Sequence, residues 1–183
     1  MMPSVPDSER KTLRRYEVVN QPRFLTFSCY GRLPLFQNDA IKEAFVQRLA
    51  VARTRLCFRL IAWVIMPEHV HLVVVPKLPD APMPKILSAI KRRFAEQVLR
   101  RWRGLDAPVL KRLITTKGNC RFWQTGGGYD RNVRDEAKLM EKVDYMHDNP
   151  ARRGLVESPT EWPWSSARWY AGERRGQLRM DTL

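Results

Sequence analysis

The sequence has little cysteine and no long apolar segment. Its three cysteines, Cys29, Cys57 and Cys120, lie far apart and form no CxxC pair, which argues against a zinc site, and their odd number argues against a full disulfide framework. No stretch approaches the roughly 18 apolar residues that a membrane span needs, and the N-terminal segment contains no apolar run typical of a signal peptide. We therefore expect reduced thiols in a cytoplasmic protein with no membrane partner.

Acidic residues are scarce relative to basic ones. The 183 residues include 33 lysines and arginines but only 19 aspartates and glutamates, which gives a net charge of +14. Such an excess favours a polyanionic partner, because each neutralised phosphate releases counterions. A ribosomal or membrane-surface protein would have the same excess. The charge therefore favours a nucleic acid without distinguishing DNA from RNA, and it indicates no chemistry.

Apolar periodicity predicts the elements of the first half of the chain. Residues 23–30 are a predicted strand. Asn38 or Asp39 is the expected cap of a helix whose apolar positions recur every three or four residues, namely Ile41, Phe45, Leu49 and Ala52. Residues 57–67 and 68–76 are two further strands, and the short turn between them predicts an antiparallel hairpin.

The second half is predicted to be more helical. Residues 84–103 have the clearest helical pattern, residues 122–124 are a candidate short strand, and residues 134–148 form a last helix that Asn149 and Pro150 end. The order β-α-β-β-α-(β)-α predicts a single α/β (α+β) domain, an antiparallel sheet with helices on one face. This arrangement resembles a ferredoxin-like fold.

The polar face of the helix at residues 84–103 is almost entirely basic, because only Glu96 offsets its lysines and arginines. A solvated surface is the ordinary explanation for a charged helix face, but so one-sided an excess favours contacts with phosphates. The residues predicted to contact nucleic acid are Lys91, Arg92, Arg93, Arg100 and Arg101 on this helix, and Arg152 and Arg153 in the C-terminal segment.

Two of the three histidines lie two positions apart in an apolar strand. Because side chains alternate along a strand, His69 and His71 point to the same face of the sheet. Two imidazoles side by side are poor core filling, since each has two ring nitrogens to satisfy, but they suit a shared divalent cation. A histidine-triad hydrolase would need a third histidine at position 73, where the chain has Val73.

Three blocks of sequence resemble single-tyrosine transposases of the IS200-like kind, and REP-associated tyrosine transposases in particular. They are MPEHVHLVV at 66–74, with its histidine–hydrophobe–histidine motif, FWQTGGGYDRNVRDE at 122–136, and YMHDNPARRGLVESPTEWPWSS at 145–166. The similarity extends over most of residues 20–170. The paired histidines alone are a weak signal, but the three blocks in this order are specific.

The resemblance implies a nucleophilic tyrosine at the start of the last core helix, and the matching residue is Tyr129, with Tyr145 and Tyr170 as fallback candidates. Tyrosines are usually packing residues, but Tyr129 follows three glycines, a setting that favours mobility and access. Its oxygen would attack phosphorus and leave a 5′-phosphotyrosine and a free 3′-hydroxyl. A phenol is a poor nucleophile until a cation withdraws charge from the phosphate.

In such relatives a polar residue about one helical turn after the tyrosine is a third metal ligand. Four residues after Tyr129 lies Val133, which cannot bind a metal, so the chain departs from the simplest pattern. Asn132 is the predicted third ligand and Asp130 is the second candidate. Asn132 could equally be a helix cap with Asp135. The expected cofactor is Mg²⁺ or Mn²⁺, of which Mn²⁺ accepts imidazole more readily. His147 is expected to be structural.

The resulting hypothesis is a nucleoid-associated transposase and endonuclease that cleaves and rejoins single-stranded DNA at repeated palindromic hairpins. A replication-initiator-like nickase and a catalytically inactive, domesticated DNA-binding protein are the alternatives. The predicted organisation is a flexible tail at residues 1–20, a catalytic domain at 21–150 and a C-terminal extension at 151–183. This extension either packs on the domain or helps to hold the hairpin. It favours a monomer, although a dimer is possible.

Overall fold

The computed structural model describes residues 17–125 and 128–182. These residues form a four-stranded antiparallel sheet with helices packed on it. The strands are β1 Arg23–Ser28, β2 Arg59–Ile65, β3 His69–Val75 and β4 Tyr129–Asn132. The helices are α1 Asp39–Leu56, α2 Met83–Leu87, α3 Arg93–Gly104, α4 Glu136–Arg152 and α5 Ala167–Tyr170. A π-helical segment, Ser88–Arg92, joins α2 to α3, and 3-10 turns occupy Tyr30–Arg32, Pro108–Leu113 and Pro159–Glu161.

The strands lie in the order β2-β3-β1-β4. β3 is antiparallel to both of its neighbours, β1 and β2, so β1 and β2 are parallel to each other and α1 connects them. This is the split β-α-β arrangement of ferredoxin-like folds. The predicted fold class and the predicted hairpin of β2 and β3 are therefore confirmed.

Helices cover both faces of the sheet. Leu25, Leu72 and their neighbours on one face pack in a core with α1 and α3. Phe24 and Val73, which alternation places on the other face, pack against Val143 and the rest of the apolar stripe of α4. The prediction of helices on one face only is wrong. The reason is that β2 and β3 are buried along almost their whole length, and strands with two apolar faces need cover on both sides.

The helix caps follow the local sequence. The side chain of Asn38 accepts a hydrogen bond of 2.8 Å from the backbone N–H of Ala40 at the start of α1, and Asp135 accepts one of 3.0 Å from Lys138 at the start of α4. The predicted end of the last helix at Asn149–Pro150 is wrong, because Pro150 lies inside α4, which continues to Arg152.

The fourth strand is not where the sequence predicts it. Trp123, in the candidate strand 122–124, forms only an isolated bridge with Cys29, and the strand that pairs with β1 begins at Tyr129. The prediction that Tyr129 begins a helix is therefore wrong. Gly128 lies so close to β1 that a Cβ there would overlap the carbonyl oxygen of Thr26, so this glycine is explained by close backbone approach. The other two glycines of the run lie outside the described residues.

The C-terminal segment packs along β2. The backbone N–H of Ile65 donates to the carbonyl of Trp164, and that of Ser166 donates to the carbonyl of Trp63, each at 2.9 Å. The ammonium of Lys42 on α1 lies over the rings of Trp162 and Trp164 at 5.6 and 5.4 Å. This geometry supports the packing alternative for the extension.

Most of the predicted tail at residues 1–20 lies outside the described residues, but the carboxylate of Glu17 accepts a hydrogen bond of 3.1 Å from the backbone N–H of Met83. The three cysteines are free, with Cys29 buried and Cys57 exposed. Across the described ranges, no helix combines the length and apolarity that crossing a membrane would require.

Candidate active site

His69 and His71 converge on the sheet face that α4 covers. Their Nε2 atoms are 2.9 Å apart, and their rings are nearly perpendicular, with centroids 4.6 Å apart. The shared face follows from their alternation along β3, as the sequence predicts. The side chains therefore present two ring nitrogens to one point in space.

A second layer of side chains orients the two rings. Nδ1 of His69 lies 2.9 Å from the carboxylate of Glu68, and Nδ1 of His71 lies 2.8 Å from the hydroxyl of Thr26. Arg153 at the end of α4 forms an ion pair with Glu68 in turn. A carboxylate accepts only, so Nδ1 of His69 donates to Glu68, and Thr26 can accept from Nδ1 of His71. Both Nε2 lone pairs then face each other.

The local environment keeps the imidazoles neutral. Burial, with a smaller contribution from His69, lowers the pKa of His71 to about 3. Burial also lowers the pKa of His69, although the carboxylate of Glu68 acts in the opposite direction. For Glu68 itself burial acts to raise the pKa, but Arg153 and His69 outweigh it and the pKa is lowered. Neutral imidazoles and an ionised carboxylate are the protonation states that metal binding requires.

Asn149 lies on α4, the helix that covers this face of the sheet, and completes the cluster. Its side-chain amide nitrogen lies 3.0 Å from Nε2 of His71. The oxygen and nitrogen of an amide are assigned from the hydrogen-bond network, and a flip of the side chain directs the oxygen to the same point. Asn149 was not predicted, because Pro150 was expected to end the helix one residue earlier. Its signal in the sequence is the four-residue spacing from Tyr145 on one helical face.

The predicted third ligands lie on the wrong side of the sheet. Tyr129 pairs with Thr26, which pairs with His71, so these three share a face. Asp130 and Asn132 alternate with Tyr129 and Arg131 along β4, so they point to the opposite face of the sheet. There Asp130 forms two hydrogen bonds with Arg23, at 2.9 and 2.7 Å, and Asn132 contacts Gln21. Neither can join the two histidines as a ligand, because the sheet lies between them.

The cluster has the spacing that a divalent cation needs. Adjacent ligands of an octahedral ion with metal–ligand distances of about 2.1 Å lie about 3.0 Å apart, and the two contacts of Nε2 of His71 are 2.9 and 3.0 Å. Two lone pairs at 2.9 Å repel unless a proton or a cation lies between them. Within residues 17–125 and 128–182, no group of three or more His, Cys, Asp or Glu side chains is placed to hold a metal. The side chain of Asn149 is the polar group of α4 that contacts His71.

Two tyrosines lie on the same side as the histidines. Tyr129 on β4 is 39% exposed, and its ring meets Phe24 edge-on at 5.8 Å and the ammonium of Lys142 at 5.8 Å. Tyr145 on α4 is 50% exposed and lies one helical turn before Asn149. Because Lys142, Tyr145 and Asn149 follow one another at intervals of three and four residues, they share one stripe of α4.

Tyr170 has a structural environment. Its hydroxyl donates a hydrogen bond of 2.9 Å to the carbonyl of Ile61, and burial, with the nearby Asp144, raises its pKa to about 12. His147 is buried against the hydroxyl of Ser166 at 2.8 Å, in agreement with the expected structural role.

The residues predicted to contact DNA fall into two groups on opposite sides of the sheet. The first group is exposed on the π segment and α3, behind the core that faces away from the histidines, and comprises Arg92, Arg93, Arg100 and Arg101. Arg152 and Arg153 form the second group beside the histidines, where Arg152 lies 5.2 Å from the ring of Tyr145. Lys91 fits neither group, because its ammonium lies over the rings of Phe27 and Trp123 and burial lowers its pKa.

The expected resemblance to REP-associated tyrosine transposases is confirmed by comparison. A protein of Haemophilus influenzae with that name is 28% identical over 145 residues, which cover 78% of this chain and 77% of the relative. The REP-associated tyrosine transposase of Escherichia coli is 26% identical over 156 residues, 84% of this chain and 80% of the relative. The sequence matches no family model.

A solved structure has the same fold. It is a REP-associated tyrosine transposase bound to a REP hairpin, and it superposes with a TM-score of 0.67 at 20% sequence identity, over 94% of this chain and 91% of that one. At this level of identity the likeness concerns the fold.

Proposed function

We propose that this chain is a REP-associated tyrosine transposase, which cleaves and rejoins single-stranded DNA next to hairpin-forming repeats in the bacterial nucleoid. The observation behind the proposal is the convergence of His69, His71 and Asn149 within 3.0 Å contacts, one helical turn from an exposed tyrosine. The names of the curated relatives and the REP hairpin of the structural neighbour support the substrate class.

His69, His71 and Asn149 are the residues that would hold Mg²⁺ or Mn²⁺. An amide oxygen and two neutral imidazoles suit either ion, and Mn²⁺ accepts imidazole more readily. A cation bound there would withdraw charge from the scissile phosphate. Glu68 and Thr26 fix the histidine tautomers, and Arg153 holds Glu68 in place.

Tyr145 is the proposed nucleophile in place of Tyr129. The resemblance implies a tyrosine at the start of the last core helix with a polar ligand about one turn later. Tyr145 lies on α4, in the middle of the helix and not at its start, and Asn149 follows it by one turn. Tyr129 lies on a strand, and the polar residues that follow it point to the other face. It remains the second candidate, because it shares the face of His71.

The proposed reaction transfers a phosphoryl group without net hydrolysis. The phenolic oxygen of Tyr145 forms a bond to phosphorus, the bond from phosphorus to the 3′ oxygen breaks, and the 3′ oxygen takes up a proton while the phenol loses one. A phenol with a pKa of about 10 needs charge withdrawn from the phosphate before it can attack at neutral pH. The 5′-phosphotyrosine conserves the bond, so a 3′-hydroxyl can later reverse the reaction without ATP.

A monomer is proposed as the working unit. The hydrogen bonds of Ile65 and Ser166 place the C-terminal segment along the outer edge of β2, which removes one sheet edge that a second copy could extend. A single peak at about 21 kDa in size-exclusion chromatography with light scattering is the expected result, since the chain mass is 21.5 kDa.

The test of the proposal is a covalent adduct. Single-stranded oligonucleotides that contain a hairpin with flanking tails are incubated with the protein and Mn²⁺, and the products are separated under denaturing conditions. We expect a protein–DNA species that survives boiling in detergent, with the nucleotide on Tyr145 by peptide mass spectrometry. A hydrolytic nuclease would cleave without an adduct, and a domesticated DNA-binding protein would bind without cleavage.

Two matched variants identify the nucleophile. Tyr145→Phe should abolish cleavage and adduct together, whereas Tyr129→Phe should retain both, because each change removes one phenolic oxygen and keeps the ring. If the adduct maps to Tyr129 and Tyr145→Phe still cuts, the assignment to Tyr145 is wrong, although the transposase mechanism stands.

A further inference from the structure

Tyr129 is an exposed aromatic residue to which the proposed reaction gives no role. It lies on β4, the edge strand of the sheet, and is 39% exposed. Its pairing with Thr26, which pairs with His71, places it on the face that carries both histidines of the cluster. A tyrosine exposed to this extent buries only part of its ring, so packing is a poor explanation for its presence at an open sheet edge.

A row of rings connects Tyr129 to the histidines. The ring of Phe24 lies 5.7 Å from that of His71 and 5.8 Å, edge-on, from that of Tyr129. Phe24 is buried, so it supports the Tyr129 ring from the core side and leaves the exposed part of that ring to solvent. Two ring contacts therefore separate Tyr129 from a histidine of the cluster. A strand with one phosphate at the histidines would bring a neighbouring nucleotide to this ring.

Two cations flank the exposed ring. The guanidinium of Arg131 lies 5.4 Å and the ammonium of Lys142 lies 5.8 Å from the centroid of the Tyr129 ring. Lys142 also lies 5.4 Å from the ring of Phe24. Among the described residues, no carboxylate forms an ion pair with either cation. Both charges are therefore available to the phosphates on either side of a base at the ring.

We propose that Tyr129 is a stacking platform for one unpaired base of a single strand, with Arg131 and Lys142 on the adjacent phosphates. Sites for single strands combine cations that follow the backbone with aromatic rings on which bases stack. The bases of a duplex are covered by their neighbours, so the ring favours unpaired nucleotides. Every base has a π face, so the platform reads the form of the strand and not its sequence.

The subsite gives the two exposed tyrosines of this face different roles. In the proposed reaction Tyr145, one turn before Asn149 on α4, supplies its phenolic oxygen. Tyr129 supplies the face of its ring. The position of the stacked base next to the bond that is cut rests on the proposed function, but stacking itself requires neither metal nor nucleophile.

The test measures binding without chemistry. The affinities of the wild type and of Tyr129→Leu, Tyr129→Phe and Arg131→Gln are measured by fluorescence anisotropy in EDTA over a range of salt concentrations. One probe is oligo(dT) of about 12 nucleotides, within the range of lengths that single-strand sites cover. The other is an abasic strand of the same length, which has the same phosphates and differs only in its lack of bases.

The variants separate the ring from the hydroxyl and from the charge. Tyr129→Leu keeps an apolar side chain on the strand but removes the π face, and Tyr129→Phe removes only the oxygen. Thermal melting by circular dichroism checks that each variant is folded. If Tyr129→Leu is not folded, Tyr129→Val takes its place, because a β-branched side chain suits a strand.

Tyr129→Leu should lose affinity for oligo(dT) by roughly 5- to 30-fold, the effect of one lost stacking contact. Its affinity for the abasic strand and its salt slope should match those of the wild type, because no charge is removed. Tyr129→Phe should match the wild type on both probes. Arg131→Gln should lose affinity for both, with a salt slope lower by about 0.7.

The proposal is overturned if Tyr129→Leu binds oligo(dT) like Tyr129→Phe, or if it loses the abasic strand equally. Loss of oligo(dT) binding by both Tyr129 variants overturns it as well, since the hydroxyl and not the ring would then make the contact. Metal and adduct formation play no part in these assays, so their failure leaves the proposed function untouched. An absent adduct with intact dependence on the ring would refute the proposed reaction and leave the stacking platform in place.

Discussion

The side-chain amide of Asn149 lies 3.0 Å from Nε2 of His71, although the two residues are 78 positions apart in the chain. The contact exists because α4 crosses the sheet face of Phe24 and Val73, where Val143 and Met146 are fully buried. Packing of the apolar stripe fixes the rotation of the helix about its axis. That rotation directs Asn149 to His71 and leaves Tyr145, one helical turn earlier, half exposed.

The first prediction separates the two asparagines. Asn149→Ala should weaken Mn²⁺ binding by tenfold or more, by removing an oxygen that completes the ligand set, as measured by isothermal titration calorimetry. Asn132→Ala is the matched control and should leave the affinity unchanged, because Asn132 points to the opposite sheet face. The opposite ranking of the two variants would restore Asn132 as the ligand and refute the assignment to Asn149.

A second prediction concerns the residue that orients His69. Glu68→Gln keeps the shape of the side chain but weakens the charge-assisted hydrogen bond of 2.9 Å to Nδ1 and the ion pair with Arg153. Metal affinity should fall by about 10- to 100-fold, as is typical when a partner of a ligating histidine is lost. Glu161→Gln, in the 3-10 turn Pro159–Glu161, should have no such effect. Equal affinities for the two variants would show that Glu68 has no positioning role.

A third prediction assigns Asp130 to stability. The carboxylate of Asp130 and the guanidinium of Arg23 are almost completely buried, at 6% and 2% exposure. Asp130→Asn would remove the carboxylate that accepts two hydrogen bonds from this buried guanidinium, which should lower the free energy of unfolding by about 3–5 kcal/mol. Arg131→Gln, on the exposed face of the same strand, should change it by less than about 0.5 kcal/mol. Urea unfolding measures both, and a small effect of Asp130→Asn would contradict the structural role.

A fourth prediction follows from the buried His147. Burial lowers its pKa from 6.5 to about 4, so between these values the unfolded chain binds a proton that the folded chain does not. Stability is therefore complete above about pH 7 and decreases as the pH falls to 4, by at most about 3 kcal/mol for this group. With EDTA present, His147→Gln should flatten the decrease of the urea midpoint over this range. An unchanged pH profile would show that another group causes it.

The sequence by itself determined the parts of this protein that depend on local pattern. Apolar periodicity located β1, β2, β3 and α1, and strand alternation placed His69 and His71 on one face. Of the two predicted caps of α1, Asn38 is the one observed, whereas Asp135 and not Asn132 caps α4. The net charge of +14 indicated a polyanionic partner before any fold was known. The periodicity and the alternation depend only on residues that are close in the sequence, and the net charge is a sum over the whole sequence.

Only the tertiary structure decided which distant residues meet. Four residues of β4 carry too little pattern to identify a strand, and yet their pairing with β1 turns Asn132 and Asp130 away from the histidines. Lys91 has the same charge as its neighbours in the sequence, but the packing of the π-helical segment Ser88–Arg92 places it over aromatic rings. Asn149 meets His71 because each of the two apolar sheet faces requires a covering helix. Burial of the apolar stripe of α4 then fixes which polar side chains of this helix point towards the histidines.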